Sequence, residues 1–202
     1  MKVLGFNRVE MIVPEDRIHQ IGVTFWRVGA PVASAVNVVF VQPDRCGAVD
    51  QAFVERCADE VELLRRFRYM AITQANPCIV ATYNGFGFDL PYLWKRAEFC
   101  KCDDFFYLDR LVTHRCKAHH KELSSSALGQ NDLFLIDMHG RGNLDLYHWI
   151  KAREKLESYK LDSVATAFLG EKKVDMDYKH LFRMVTGSPA EIAHVAVYCV
   201  QD

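Results

Sequence analysis

The chain has no apolar run long enough to cross a bilayer, and its first residues do not grade from basic to apolar as a secretory signal does. Its seven cysteines are an odd number, and their spacing makes no disulfide ladder. A reduced intracellular compartment is therefore the expected setting. A net charge of -1 gives no general attraction to polyanions, so any contact with nucleic acid rests on local patches. Glycine and proline are too sparse and scattered to make a linker, and there are no repeats or low-complexity tracts. What remains is a globular composition, half apolar and a quarter charged, able to bury a full core. At 202 residues a single domain, 1–202, is expected.

The most informative stretch is 78–97. Cys78-Ile79-Val80-Ala81-Thr82-Tyr83 reads as a short buried strand, and Leu90-Pro91-Tyr92-Leu93-Trp94 as the first turns of a helix with Pro91 near its start. Asn84, Gly85, Gly87 and Asp89 lie between them. Asp89 is thus placed at the carboxyl end of a strand, where α/β sheets hold their chemistry. The plainer alternative makes Asp89 a helix N-cap and Asn84 a turn residue. The Gly85-x-Gly87 pair lacks the third glycine of a dinucleotide-binding turn.

Residues 3–13, 18–28 and 34–41 read as three strands of an antiparallel meander. A helix is expected from Asp50, with Phe53, Val54, Cys57, Val61 and Leu64 on one stripe. Strand, helix and strand in that order suggest a crossover that adds the 78–83 strand to the earlier sheet. The fold class is α/β, a mixed β-sheet flanked by helices. Residues 99–142 form the least regular part, an irregular basic insert. There Arg115 and Lys117, with neighbouring Lys101, Arg110, His114, His119, His120 and Lys121, make either a phosphate-facing patch or a solvated loop. Cys100-x-Cys102, Cys116 and His119/His120 suggest zinc by residue type, but the spacing fits none of the usual ligand pairs. The last third reads as helices over 145–153, 161–169 and 177–185, followed by a helix opened by Ser188-Pro189-Ala190-Glu191, a capping box. Tyr198 and Asp202 are four apart and share a flank of that helix, either as a surface pair or as a functional one.

Asn84-x-x-x-Phe88-Asp89 with Leu-Pro-Tyr-Leu resembles the second exonuclease motif of family B DNA polymerases, and Tyr198-x-x-x-Asp202 resembles the third. Ile18-His19-Gln20-Ile21-Gly22 resembles the strand after the first motif. Ser125 to Gly129, Gly140-Arg141 with Asp145, and Ser158 to Val164 resemble segments between the second and third. The ordered set spans about 18–202 and looks most like the eukaryotic delta-like and large-DNA-virus branch. The resemblance implies a ribonuclease H-like fold and a 3′-to-5′ proofreading exonuclease. It also implies two divalent ions, Mg²⁺ or Mn²⁺, which suit carboxylate oxygens and phosphodiester hydrolysis. By the same resemblance, Glu10, Asp89 and Asp202 are metal ligands and catalytic, and Tyr198 orients the attacking water or the scissile phosphate. Asn84 and Phe88 place the single-stranded DNA 3′ end, and Asp145 either supports a metal ligand from behind or is structural, the second being preferred. The implied partners are that 3′ end and the remaining polymerase domains or subunits, in a nucleus or a viral replication compartment and not at a membrane.

The chain departs from the family at its first motif, Asp-x-Glu. With Glu10 as the glutamate, Arg8 stands where the aspartate belongs; with Phe6 as the reference, Asn7 and Val9 replace both acids. The first register keeps one carboxylate and is preferred. An arginine about 5 Å from a divalent ion, at an effective dielectric of about 20, adds a repulsion of about 6–7 kcal/mol. Arg8 therefore turns away, or the exonuclease is weak or dead, or the opening segment is not the natural one. The inactive alternative is a nucleic-acid-binding module or a fragment of the same fold. Palm, fingers and thumb are absent from these 202 residues, so template-directed synthesis is not expected of them alone.

Overall fold

A computed structural model describes residues 16–111, 113–125, 129–170 and 178–201. The described chain is mixed α/β and divides into two compact units. One is built mainly from 14–75 and 173–202, the other from 76–172. The expected strand at 3–13 lies outside the described residues.

The first unit holds a three-stranded sheet of β1 (Gln20–Phe25), β2 (Val36–Val41) and β3 (Ala52–Arg56), with β2 central. β1 and β2 are antiparallel, pairing Gln20 with Val41 and Phe25 with Val36. β2 and β3 are parallel, pairing Asn37 with Ala52 and Val41 with Arg56. β2 is buried on both faces, as its unbroken valine-rich run requires. Phe40 meets Phe67 of α1 (Glu60–Phe67) edge to face, at 5.8 Å between ring centroids. Val39 and Val41, of the opposite parity, form a core cluster with Ile192, Ala193 and Ala196 of α6 (Pro189–Gln201). α5 (Tyr178–Met184) adds Met184 and Val185 against Val195.

The helix expected from Asp50 does not form there. Residues 52–56 extend as β3, and α1 begins after Asp59, whose side chain accepts the Glu62 N–H while Glu62 reaches back to the Ala58 N–H. Phe53 and Val54 favour a strand, and the cap that nucleates the helix is nine residues later than supposed. α1 continues into a wider π-helical stretch, Arg68–Gln74.

The second unit pairs β4 (Ile79–Thr82) in parallel with β7 (Gly142–Asp145). This corrects the crossover expectation: β4 was assigned to the first sheet and pairs with β7. Between them lie α2 (Asp89–Phe99), a 3₁₀ turn at Asp103–Phe106, and an antiparallel hairpin of β5 (Ala118–Ser125) and β6 (Gly129–Ile136). The stretch 99–142, expected to be irregular, is therefore largely ordered. Its apolar side chains pack onto α2: Trp94 meets Phe106 at 4.7 Å and Phe134 at 6.2 Å between ring centroids. α3 (Leu146–Arg153) and α4 (Leu161–Leu169) follow, and Gly170, at φ +70°, ends α4 in the left-handed conformation that the sequence pattern implied.

Candidate functional site

The turn between β4 and α2 is held from inside. Asn84 sits at φ +59°, and Gly87 donates its N–H to the Asn84 carbonyl at 3.1 Å. Leu90 N–H reaches the Gly85 carbonyl at 2.9 Å. A Cβ at Gly85 would stand 2.4 Å from Thr82 Oγ1, so only glycine fits that approach. Asp89 is then the first helical residue of α2, half-buried. Phe88 takes the cap position without a side-chain bond. The N-cap role weighed for Asp89 is thus not the one it plays. Pro91 falls in the first turn, where an N–H lacks an intrahelical partner anyway.

Asp145 does the holding. Parallel pairing of β4 with β7 sets it opposite Thr82, and it is 3 % exposed. Its Oδ1 accepts from Asn84 N–H at 2.7 Å and from Tyr147 N–H at 3.0 Å; its Oδ2 accepts from Phe86 N–H at 3.0 Å. One carboxylate therefore caps α3 and fixes the loop that presents Asn84, Phe88 and Asp89. Phe86 stacks on His148, at 6.3 Å and 21° between planes, and burial pulls the His148 pKa down. Tyr83 donates to the Tyr159 carbonyl at 2.7 Å, which ties the 158–164 segment to the same turn. Burial, then Tyr147 and Asp145, push the Tyr83 phenol up. The tie between Tyr83 and Tyr159 carries no signal in the sequence, because it joins a side chain to a backbone carbonyl.

Tyr198 belongs to the first unit and is half-buried on α6. The helix opens with the expected capping box: Ser188 N–H and Oγ both bond Glu191 Oε2 at 2.7 Å, and Glu191 N–H returns to Ser188 Oγ at 3.3 Å. These bonds hold the Glu191 carboxyl below its usual range. α6 lies close along β1. Gln20 Nε2 donates to the Ile192 carbonyl at 3.0 Å, and a Cβ on Gly22 would meet the Cys199 carbonyl oxygen at 2.7 Å. The glycine in Gln20-Ile21-Gly22 is therefore what lets the residue after Tyr198 approach the strand.

Glu10 and Asp202, like Arg8, lie outside the described residues. The structure therefore brings together Asn84, Phe88, Asp89 and Asp145, and describes Tyr198 within its own unit. Arg115 and Lys117 are exposed just before β5. Arg115 already meets Asp103 at 3.2 Å and covers the Phe106 ring at 4.2 Å, so a phosphate there would compete with Asp103. The zinc grouping suggested by residue type is not formed. Cys102 and Cys116 are buried, and His119 and His120 face Asp137 and Asp132. Among the described residues, the side chains gathered as metal ligands are Asp109, His114 and His139.

The sequence model of a family described as DNA polymerase family B, exonuclease domain, matches residues 7–164. A DNA polymerase of Pyramimonas orientalis virus is 37% identical over 158 residues, 78% of this chain and 13% of the relative. The DNA polymerase delta catalytic subunit of Dictyostelium discoideum is 34% identical over 157 residues, 78% of this chain and 14% of the relative. With a DNA polymerase of Paramecium bursaria Chlorella virus NY2A the identity is 31% over 198 residues, 94% of this chain and 21% of the relative. This chain thus spans a fifth or less of the first two relatives and about a fifth of the third.

Proposed function

The chain belongs to the exonuclease-domain family of family B DNA polymerases, and from that premise we propose that it is the 3′-to-5′ proofreading exonuclease of such a polymerase, acting on single-stranded DNA 3′ ends. The observation that carries the reading is Asp89, half-buried at the start of α2 on a loop that Asp145 locks through two of its backbone N–H groups, those of Asn84 and Phe86. A ribonuclease H-like arrangement of the strands and helices, as one domain, is part of the same reading.

The donors fit hard divalent ions: a carboxylate at a helix start offers oxygen, the ligand that Mg²⁺ and Mn²⁺ prefer. Asp89, with Asp202 and Glu10, would hold the two ions. When bound, these supply an activated water and stabilise the leaving oxygen. Tyr198 would orient the water or the scissile phosphate through its hydroxyl. Asn84 and Phe88 would place the terminal nucleotide, Phe88 by packing against a base. Arg115 and Lys117 would meet the phosphodiester backbone. The remaining polymerase domains are the proposed partners, and a nucleus or viral replication compartment the proposed setting. Among the described residues no helix is long and apolar enough to cross a membrane.

The second reading, a DNA-binding remnant without activity, rests on one observation: both registers of the first motif lack an acid, and the preferred one has Arg8 in its place. Release of nucleotides from 3′-labelled single-stranded DNA with Mg²⁺ or Mn²⁺ separates the two. Metal-dependent shortening that Asp89→Ala abolishes supports the exonuclease. Retention of DNA binding without shortening, in a folded protein, supports the remnant.

A further inference from the structure

The geometry points to a second metal site in the 76–172 unit: Asp109, His114 and His139 bind one first-row transition ion of the Zn²⁺ class. None of the three belongs to the proposed exonuclease set. His114 Nδ1 lies 2.6 Å and His139 Nδ1 3.2 Å from the same oxygen, Asp109 Oδ2. Ligand atoms of a tetrahedral zinc site stand about 3.3 Å apart, given bonds of about 2.0–2.1 Å. One of the two contacts to Asp109 already has that spacing, the other reaches it by a side-chain movement under an ångström, and all three ligand atoms lie within 4.8 Å of one another. The two rings stand nearly perpendicular, at 87° with centroids 4.6 Å apart, so their nitrogens approach from different directions.

Asp109 is 5 % exposed, and its Oδ1 has no hydrogen-bond partner. A carboxylate serving only as acceptor for two imidazole N–H groups would leave that buried oxygen uncompensated. A cation bound by the carboxylate offsets the charge left on that oxygen. The scaffold needs no rearrangement of its backbone. Arg110 N–H bonds the His139 carbonyl at 3.0 Å, and His114 N–H closes a turn onto the Leu111 carbonyl at 2.7 Å. Arg141 Nε bonds the Leu108 carbonyl at 2.9 Å. Gly140, at φ +78°, lets Arg110 pass where a Cβ would stand 3.1 Å from its Cδ. The loops that carry the three side chains are therefore held by bonds other than those of the ligating atoms. His114 and His139 side chains are 39% and 55% exposed, leaving a path for the ion and a position for water. Two imidazoles and one carboxylate select Zn²⁺, Co²⁺ or Ni²⁺ over Mg²⁺.

The test titrates Co²⁺ and Zn²⁺ into the reduced full chain in excess Mg²⁺, beside His114→Gln and His139→Gln. Expected is one equivalent of Co²⁺ with visible d–d bands and no thiolate charge-transfer band. Zn²⁺ should displace it, and either variant should weaken binding by at least about tenfold. Equal binding in all three proteins, or a thiolate band in place of the imidazole signature, overturns the site. His139 anchors the loop through its carbonyl and not its exposed ring, so His139→Gln keeps the fold and decides the matter if His114→Gln does not.

Discussion

Asparagine at position 145 keeps the shape of the aspartate and removes its charge and part of its accepting capacity. Three backbone N–H groups converge on that carboxylate, and an amide must turn its NH₂ toward at least one of them. The expected loss is about 2–3 kcal/mol in urea unfolding, the size of a charge-assisted bond plus a stranded buried donor. Shortening of single-stranded DNA should also slow under conditions where the variant remains folded. Titration acts at this scale too. Burial, reinforced by Glu62, pushes the Cys57 thiol up to about 12, and burial raises Cys46 and Cys116 as well. Unfolded thiols ionise near about 8.5. The folded state keeps those protons longer, so its stability is full below that pH and falls as pH rises from there toward the folded values. Unfolding under reductant at pH 7 and pH 10 should show the fall, and Cys57→Ala should flatten it. The structural part assigned to Asp145 could be read only through the family resemblance, since two of its N–H partners lie 61 and 59 residues earlier in the chain. The grouping of Asp109, His114 and His139 could not, since their spacings follow no helix or strand period and only the packed loops bring them together.

On the proposed role of Tyr198, Gly22 shows how an element carries a side chain to its work. Alanine there would put a Cβ 2.7 Å from the Cys199 carbonyl, and backbone cannot rotate away as a flexible side chain can. α6 must shift off β1, at a cost of about 1–3 kcal/mol. The expected outcome for Gly22→Ala is a lower unfolding midpoint together with a larger drop in nucleotide release than the stability loss explains, because Tyr198 moves with its neighbour. Valine at position 23, on the same strand, offers the control: Val23→Ala should change stability without that excess. Most elements could be read from periodicity and punctuation, including α3 behind Asp145, α4 stopped at Gly170 and α6 behind Ser188. The exceptions were β3, the β5–β6 hairpin within the stretch expected to be irregular, and β7 at its end. Phe53, Val54, Cys57, Val61 and Leu64 happen to satisfy helical spacing, but the first two belong to a strand paired with β2, Cys57 lies between strand and helix, and only Val61 and Leu64 follow a new cap at Asp59. Asp59 with Glu62 three residues later is a capping pattern visible in the sequence, and it outweighs an apolar stripe that starts before it.

At the scale of the whole chain, the order of short motifs identified the family, while the division into two units was hidden. The reason is topological: the first unit is assembled from 14–75 and from 173–202, with the entire 76–172 unit between them in sequence. No local pattern announces that α6 closes the core that β2 opens. The interleaving has a consequence that can be measured. Ile192, Ala193 and Ala196 complete the cluster around Val39, Val41, Cys46 and Val49. Burial of a side chain the size of isoleucine contributes about 1.5–3 kcal/mol, so removing α6 takes away several such contributions and uncovers one face of β2. A chain ending at residue 172 is expected to bind a hydrophobic dye and to lose cooperative unfolding of the first unit. The β4–β7 pair, the hairpin and the Asp145 clamp all lie within 76–172, and hydrogen exchange should find their amide protection retained in the shortened chain. Loss of protection throughout would mean that the second unit also depends on α6. Retention throughout would mean that the sheet of the first unit stands without it.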